Sequence, residues 1–307
     1  MSAPRPTINR DEIEPRSLGA GELAFTRQRL GAAAGAARIG ASLYSVPAGA
    51  RQMPVHVHGD EEEIFFILLG DGLHWQDGRA CEIVPGDAIV QRPRRGAHTF
   101  LAGEHGLELV AFANGSDTSI TWLPRAEVMW CGPRWVPLDA PHPFEAEALA
   151  GALPRPQPTA RPANVVALDD LAPGPFPGAL VRALGQAAGS VAAGLNHVKL
   201  PPGADGAPAH CHALEEELFF ILKGSGTLTL GSAGHPLRAG DVIARPPGTG
   251  VCHSLQPADD GLEYLAYGTR VAGDSVYYPD AGKIRLRGLG VTIDASGSAI
   301  SPSGSGS

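Results

Sequence analysis

Residues 56–70 read HVHGDEEEIFFILLG, and residues 210–224 read HCHALEEELFFILKG. Both carry a His-x-His, a glutamate triplet and an apolar run that ends on glycine, 154 residues apart. Outward from these stretches the same shift keeps matching. Leu30, Gly31, Gly35, Gly40, Pro47 and Gly49 fall on Leu184, Gly185, Gly189, Gly194, Pro201 and Gly203. Gly70, Gly72, Gly86 and Asp87 fall on Gly224, Gly226, Gly240 and Asp241, and His98 meets His253 after one inserted residue. A period this long marks a duplicated domain, not a solenoid unit.

Within each copy the local signals are those of strands. RIGASLYSVPAG and AGLNHVKLPPGA end in Pro/Gly turns. EIFFILLGDG and ELFFILKGSG are apolar and run into expected glycine hairpins. Short strands at 8–12-residue spacing predict an all-β sandwich or barrel in each copy. Helix signals are sparse, with PFEAEALAGAL (143–153) the best candidate. The organisation predicted is an N-terminal domain over 1–123 and a Pro/Ala-rich connection over 124–178. A C-terminal domain over 179–294 follows, then a flexible Gly/Ser tail over 295–307.

Side chains two apart on a strand share a face. His56 and His58 therefore point together, a four-residue turn leads to Glu63, and a later strand supplies His98. His210, His212, Glu217 and His253 repeat the set. Three imidazoles and one carboxylate suit a divalent transition ion: Fe, Mn, Ni or Zn, up to two per chain. Six of the eleven histidines sit in this pattern. One glutamate of each triplet is expected to face the imidazoles and the others to be solvated; Glu62 and Glu216 stand as alternatives to Glu63 and Glu217. Phe65, Ile67, Phe219 and Ile221 are expected to line the interiors. Arg92 and Arg245, just before the His98 and His253 loops, are candidates to hold a substrate carboxylate. Cys211 and Cys252 flank ligand histidines, but alternation turns Cys211 to the opposite face, so both read as small buried residues.

The first stretch resembles the first cupin motif, G-x5-H-x-H-x3/4-E-x6-G, from its His-x-His to its last glycine. GDAIVQRPRRGAH is similar, loosely, to the second motif, G-x5-P-x-G-x2-H-x3-N; Ala102 and Pro257 stand where that motif has asparagine. The resemblance covers about 30–115 and 184–270, and the chain looks like a bicupin. It implies two tandem double-stranded β-helix (jelly-roll) barrels with few short helices, each with a metal inside. Cupins include dioxygenases, decarboxylases, isomerases, lyases and non-enzymatic binding proteins, so the fold alone does not choose.

Bulk composition narrows the field. The chain has 307 residues, 43% hydrophobic and 18% charged, enough for two cores. Its net charge of -8, with no basic block, speaks against a nucleic-acid partner. No run of about 18 apolar residues predicts a membrane span. The polar N-terminus and four scattered cysteines fit a cytoplasmic setting. The leading expectation is an Fe-dependent dioxygenase acting on a small carboxylate, enediol or aromatic molecule. A redox-neutral isomerase, lyase or decarboxylase is the alternative, and a binding protein without turnover the third. Apolar outer strand faces make a homodimer an expectation.

Overall fold

The computed structural model describes residues 7–115, 119–131, 134–136 and 142–295. The expected tail lies outside the described residues from 296 onward. The duplication is realised as two β barrels of the same strand order. In the first, the large antiparallel sheet runs Val165–Ala167, Asp87–Gln91, Glu63–Gln76, His98–Asn114, Ile39–Val46, Leu23–Gln28, Arg16–Ala20. Its small sheet runs Arg134–Val136, Val128–Cys131, Ile120–Leu123, Val57–His58. In the second, Ile8–Asn9, Asp241–Arg245, Glu217–Leu230, His253–Thr269, Ala193–Leu200 and Leu180–Arg182 form the large sheet. Cys211–His212, Ser275–Tyr278, Lys283–Leu286 and Val291–Asp294 form the small one. The α-helices among the described residues are short: Leu30–Ala33, Pro143–Leu149 and Leu184–Ala187.

Each barrel borrows an edge strand from outside its own repeat. Ile8 pairs with Val242 in the second barrel, and Val165 pairs with Ile89 in the first. The borrowed strands cover equivalent edges, which would otherwise present unpaired backbone groups. The stretch read as a connection is therefore largely built into the first barrel. It supplies two strands of the small sheet, the Pro143–Leu149 helix and the Val165–Ala167 edge.

Alternation along one strand sorts the apolar residues into two cores. Phe65 and Ile67 point into the first barrel with Ile89, Phe100 and Leu109. Ile64 and Phe66 point the other way and pack with Leu218, Phe220 and Leu265 of the second barrel. Across this seam the Phe112 and Tyr267 rings stack at 5.1 Å and 10°. Fully burying such side chains contributes about 1.5–3 kcal/mol each. These outer faces pack the two barrels of one chain against each other.

Two further expectations are corrected. The motif glycines make no hairpin: Glu63–Gln76 continues through Gly70 as one strand, with register shifts at Ile67/Leu69 and Gly70/Gly72. Gly70 sits at φ +85, and a Cβ there would overlap the carbonyl oxygen of Gly106. Nor are the middle glutamates solvated, since Glu62 and Glu216 are fully buried. The Glu216 carboxylate accepts from the backbone N–H of Ala37 (2.7 Å), Arg38 (2.7 Å) and Ile39 (2.9 Å) in the first barrel. Glu62 reciprocates, accepting from Ser190 Oγ (2.5 Å), Val191 N (3.2 Å) and Ala192 N (3.3 Å) in the second. A strand alternates its faces, so the residue before an inward glutamate points out to the neighbouring barrel. That geometry excludes Glu62 and Glu216 from the imidazole clusters and makes them a two-way clamp.

Candidate metal centres

The histidines are brought together by backbone pairing. His56 and His98 exchange backbone hydrogen bonds, as do His210 and His253. Glu63 and Glu217 begin the long strands that pair with those of His98 and His253. In the first barrel Glu63 Oε2 lies 3.5 Å from His56 Nε2, 3.2 Å from His58 Nε2 and 3.2 Å from His98 Nε2. In the second, Glu217 Oε2 lies 3.6, 3.5 and 3.0 Å from Nε2 of His210, His212 and His253. Donors about 2.1 Å from one shared ion stand roughly 3.0–3.4 Å apart, so both clusters have the span of a first coordination sphere.

The opposite ring nitrogens are engaged elsewhere. His56 Nδ1 faces Pro54 O (2.8 Å), His210 Nδ1 faces Pro208 O (2.8 Å) and His98 Nδ1 faces Gly96 O (3.2 Å). A carbonyl needs a donor, so Nδ1 keeps the proton and the Nε2 lone pair turns to the centre. His58 Nδ1 meets Thr121 Oγ1 at 3.0 Å and Glu61 at 3.4 Å. His212 Nδ1 instead meets the buried Asp274 carboxylate at 2.7 Å. His253 Nε2 and Glu217 Oε2 are both buried without a hydrogen-bond partner, although 3.0 Å apart. Atoms left so are costly in a dry site, and a cation between them would satisfy both.

Electrostatics differ from one group of the clusters to the next. Burial works to raise the Glu63 carboxyl, but His58, His56 and His98 hold it well below the usual range. Burial works to lower His58, yet Glu63, with Glu61 and Asp60, pushes it up to about 9. Burial and the neighbouring His56 take His98 down to about 4. Glu217 is lowered by His210 and His253 against its own burial.

The cupin domain family model matches residues 42–112 and 196–263, one stretch in each barrel. Among solved structures, the Lactobacillus farciminis oxalate decarboxylase formate complex is similar with a TM-score of 0.62 and 17% identity. It covers 88% of this chain and 87% of that one. Bacillus subtilis oxalate decarboxylase at pH 4.6 gives a TM-score of 0.60 and 15% identity, over 89% of this chain and 80% of that one. The chain is a bicupin. No curated protein sequence matches it.

The bicupin's two clusters differ in access. The first opens on a cavity of about 690 Å³. The second, walled by Arg245, Pro246, Thr249 and Val251, adjoins no such space among the described residues. Phe65 lines the cavity, and its ring lies 5.7 Å from that of His98; Phe219 holds the same relation to His253 at 5.5 Å. Arg92 is not in the cavity. It is exposed and its Nε donates to Gly189 O (2.7 Å) in the other barrel, because its strand end faces the seam. Arg245 stays beside the closed cluster, donating to Val251 O at 2.9 Å. Cys211 and Cys252 are half-buried, not buried, with sulfurs 3.4 Å apart.

Sequence reasoning missed four residues of these sites. Arg27, Tyr44 and Glu61 line the open cavity, and Asp274 backs the second cluster. Arg27 and Asp274 lie far along the chain from the motifs. Glu61 was legible as the first of its triplet, three residues after His58.

Proposed function

We propose that this bicupin is a metal-dependent enzyme whose working site is the N-terminal cluster, and that it carries out redox-neutral cleavage of a small carboxylate, decarboxylation foremost. The observation that carries this reading is the cavity of about 690 Å³ lined by His56, His58 and Glu63, with none of that kind beside the equivalent second set among the described residues. The second cluster then serves as a closed structural site. Support for the reaction class comes from the fold neighbours, which are oxalate decarboxylases, one of them studied for its Mn(II) centers. The Fe-dependent dioxygenase reading gains no such support and yields to it.

Held by the three imidazoles and Glu63, a divalent cation such as manganese would polarise substrate oxygens. The remaining work belongs to side chains. Arg27 offers the cavity's guanidinium to a carboxylate. In decarboxylation the carbon–carboxylate bond breaks, carbon dioxide leaves, and the electron pair stays on carbon until a proton reaches it. Glu61, on the cavity wall beside His58, is the carboxyl group placed to hand over that proton. Phe65, Leu123 and Phe144 exclude water from the step.

The test starts with protein purified without chelators. Metals are counted by mass spectrometry in the wild type, His56→Ala and His210→Ala, and carbon dioxide release and oxygen uptake are followed with a panel of carboxylates. The expectation is close to two metals per chain, one lost in each variant. Turnover should vanish only in His56→Ala, with carbon dioxide released and no oxygen consumed. Stoichiometric oxygen uptake would return the dioxygenase reading. No bound metal after loading with Mn, Fe, Ni and Zn would remove the enzyme reading altogether.

A further inference from the structure

We propose that the N-terminal cavity is shaped for a monocarboxylate with an apolar body of ring size, and that Arg27 anchors its carboxylate and sets this specificity. This rests on the reading that the N-terminal barrel is the working one, and it narrows the substrate beyond the two-carbon diacid that names the fold neighbours.

Charge is the first argument. Among the described residues lining the cavity, Arg27 is the one lysine or arginine. It stands on strand Leu23–Gln28, where its Nε donates to Ser42 Oγ at 3.0 Å. Its guanidinium carbon lies 5.6 Å from the centre of the Tyr44 ring. Ring and hydroxyl fix the plane of the fork. Among the described residues no carboxylate pairs with it, so the terminal nitrogens are open to a ligand's oxygens, two of which they match bidentately.

The walls are the second argument. Met53, Phe65, Leu123, Trp130 and Phe144 make much of the lining. A volume of about 690 Å³ is in the range that holds drug-sized ligands. A two-carbon diacid is far smaller. It would leave those walls against water and place a second charge where nothing but the metal answers it. A ring-sized apolar body covers the walls and gains from their burial.

The repeat supplies an internal control. Arg27 is paired with Tyr44 across the sheet, and the equivalent rung of the second barrel pairs Val181 with Val198. The guanidinium and the ring beneath it are thus present in the open barrel and replaced by two valines in the closed one. Phe144 comes from the Pro143–Leu149 helix, for which the second barrel has no counterpart among the described residues.

The test is isothermal titration calorimetry on the manganese-loaded full chain with three probes: phenylacetate, oxalate and 2-phenylethanol. Phenylacetate is expected to bind at least tenfold tighter than either of the others. Arg27→Gln should weaken phenylacetate at least tenfold and change 2-phenylethanol less than twofold. Arg27→Lys, which keeps the charge and loses the fork, should fall between, and it serves if the glutamine variant does not fold. Tighter binding of oxalate than of phenylacetate, no phenylacetate binding up to millimolar concentration, or equal binding by the wild type and both variants overturns the proposal. Metals are counted on the same samples. Arg27-dependent phenylacetate binding without bound metal sinks the metal reading and keeps this one; full metal occupancy without the preference does the reverse.

Discussion

Changing Glu216 to glutamine should loosen the join between the barrels and leave the metal clusters intact. The Glu216 carboxylate is fully buried and collects three backbone N–H groups of the first barrel at 2.7, 2.7 and 2.9 Å. Hydrogen bonds to a charged group contribute about 1.5–3 kcal/mol each. An amide keeps one accepting oxygen and turns an N–H₂ toward donors. Ala37 and Arg38 are exposed enough for water to replace part of the loss; Ile39 is buried and is not. The net destabilisation comes to about 3 kcal/mol, which in a chain of this size lowers Tm by about 6–12 °C. Scanning calorimetry on Glu216→Gln, Glu62→Gln and the exposed control Glu104→Gln measures it. The first two should fall by similar amounts and the control by less than about 0.5 kcal/mol. Metal content should stay at the wild-type level in both clamp variants and drop by one in Glu217→Gln. Lost metal with unchanged Tm in Glu216→Gln would refute the reasoning and restore Glu216 as a ligand.

Three further outcomes are expected. Burial holds the His74 imidazole neutral, with its pKa lowered to about 3. Its contribution is complete above the unfolded value near 6.5 and is lost at about 1.4 kcal/mol per pH unit below that, down to about 3. The pH 6 to pH 4 slope of urea stability in metal-stripped protein should therefore flatten in His74→Leu; an unchanged slope would show that His74 does not titrate this way. Asp274→Asn removes the carboxylate 2.7 Å from His212 Nδ1. It should weaken metal at the second cluster about 10–100-fold in chelator competition, with the first cluster unaffected; equal loss at both clusters would refute it. Glu147→Gln removes one of the two carboxylates on the fully buried Arg51, at 2.8 Å, and leaves Glu22 at 2.9 Å; it should cost about 1.5–3 kcal/mol by chemical unfolding, and unchanged stability would refute it.

What the sequence made legible was what repeats or alternates. The shift of 154 residues and the period of two place His56, His58, Glu63 and their counterparts without any knowledge of the fold. Contacts made once, at long range, left no such trace. Ile8–Asn9 reads as an extension, yet it completes a sheet more than 200 residues away. Arg92 has the right type beside the right loop, but its direction was set by the barrel seam, which no local pattern encodes. Gly70 announces a backbone need without saying whether a hairpin or a bulge meets it; the close approach of Gly106 decides for the bulge. Arg27 stands in FTRQR, a stretch with no repeat counterpart of the same type, so nothing in the pattern marked it.

The glutamate triplets, opaque as sequence, show why the duplication has stayed recognisable where the pockets have diverged. Three consecutive residues do three jobs because a turn leads into a strand at that point. Glu61 and Glu215 stand beside the outer nitrogen of the second histidine, at 3.4 and 3.8 Å. Glu62 and Glu216 cross the seam, and Glu63 and Glu217 reach the imidazoles. Neighbouring peptide units thus carry the clamp on one face of the strand and the cluster on the other. Substitutions inside the triplet disturb docking or the cluster whichever barrel they fall in. Substitutions at the rung of Arg27 and Tyr44, or of Val181 and Val198, disturb neither. The second group is where one barrel could close and the other acquire a charged, apolar-walled cavity while both kept the same four side chains at their centres.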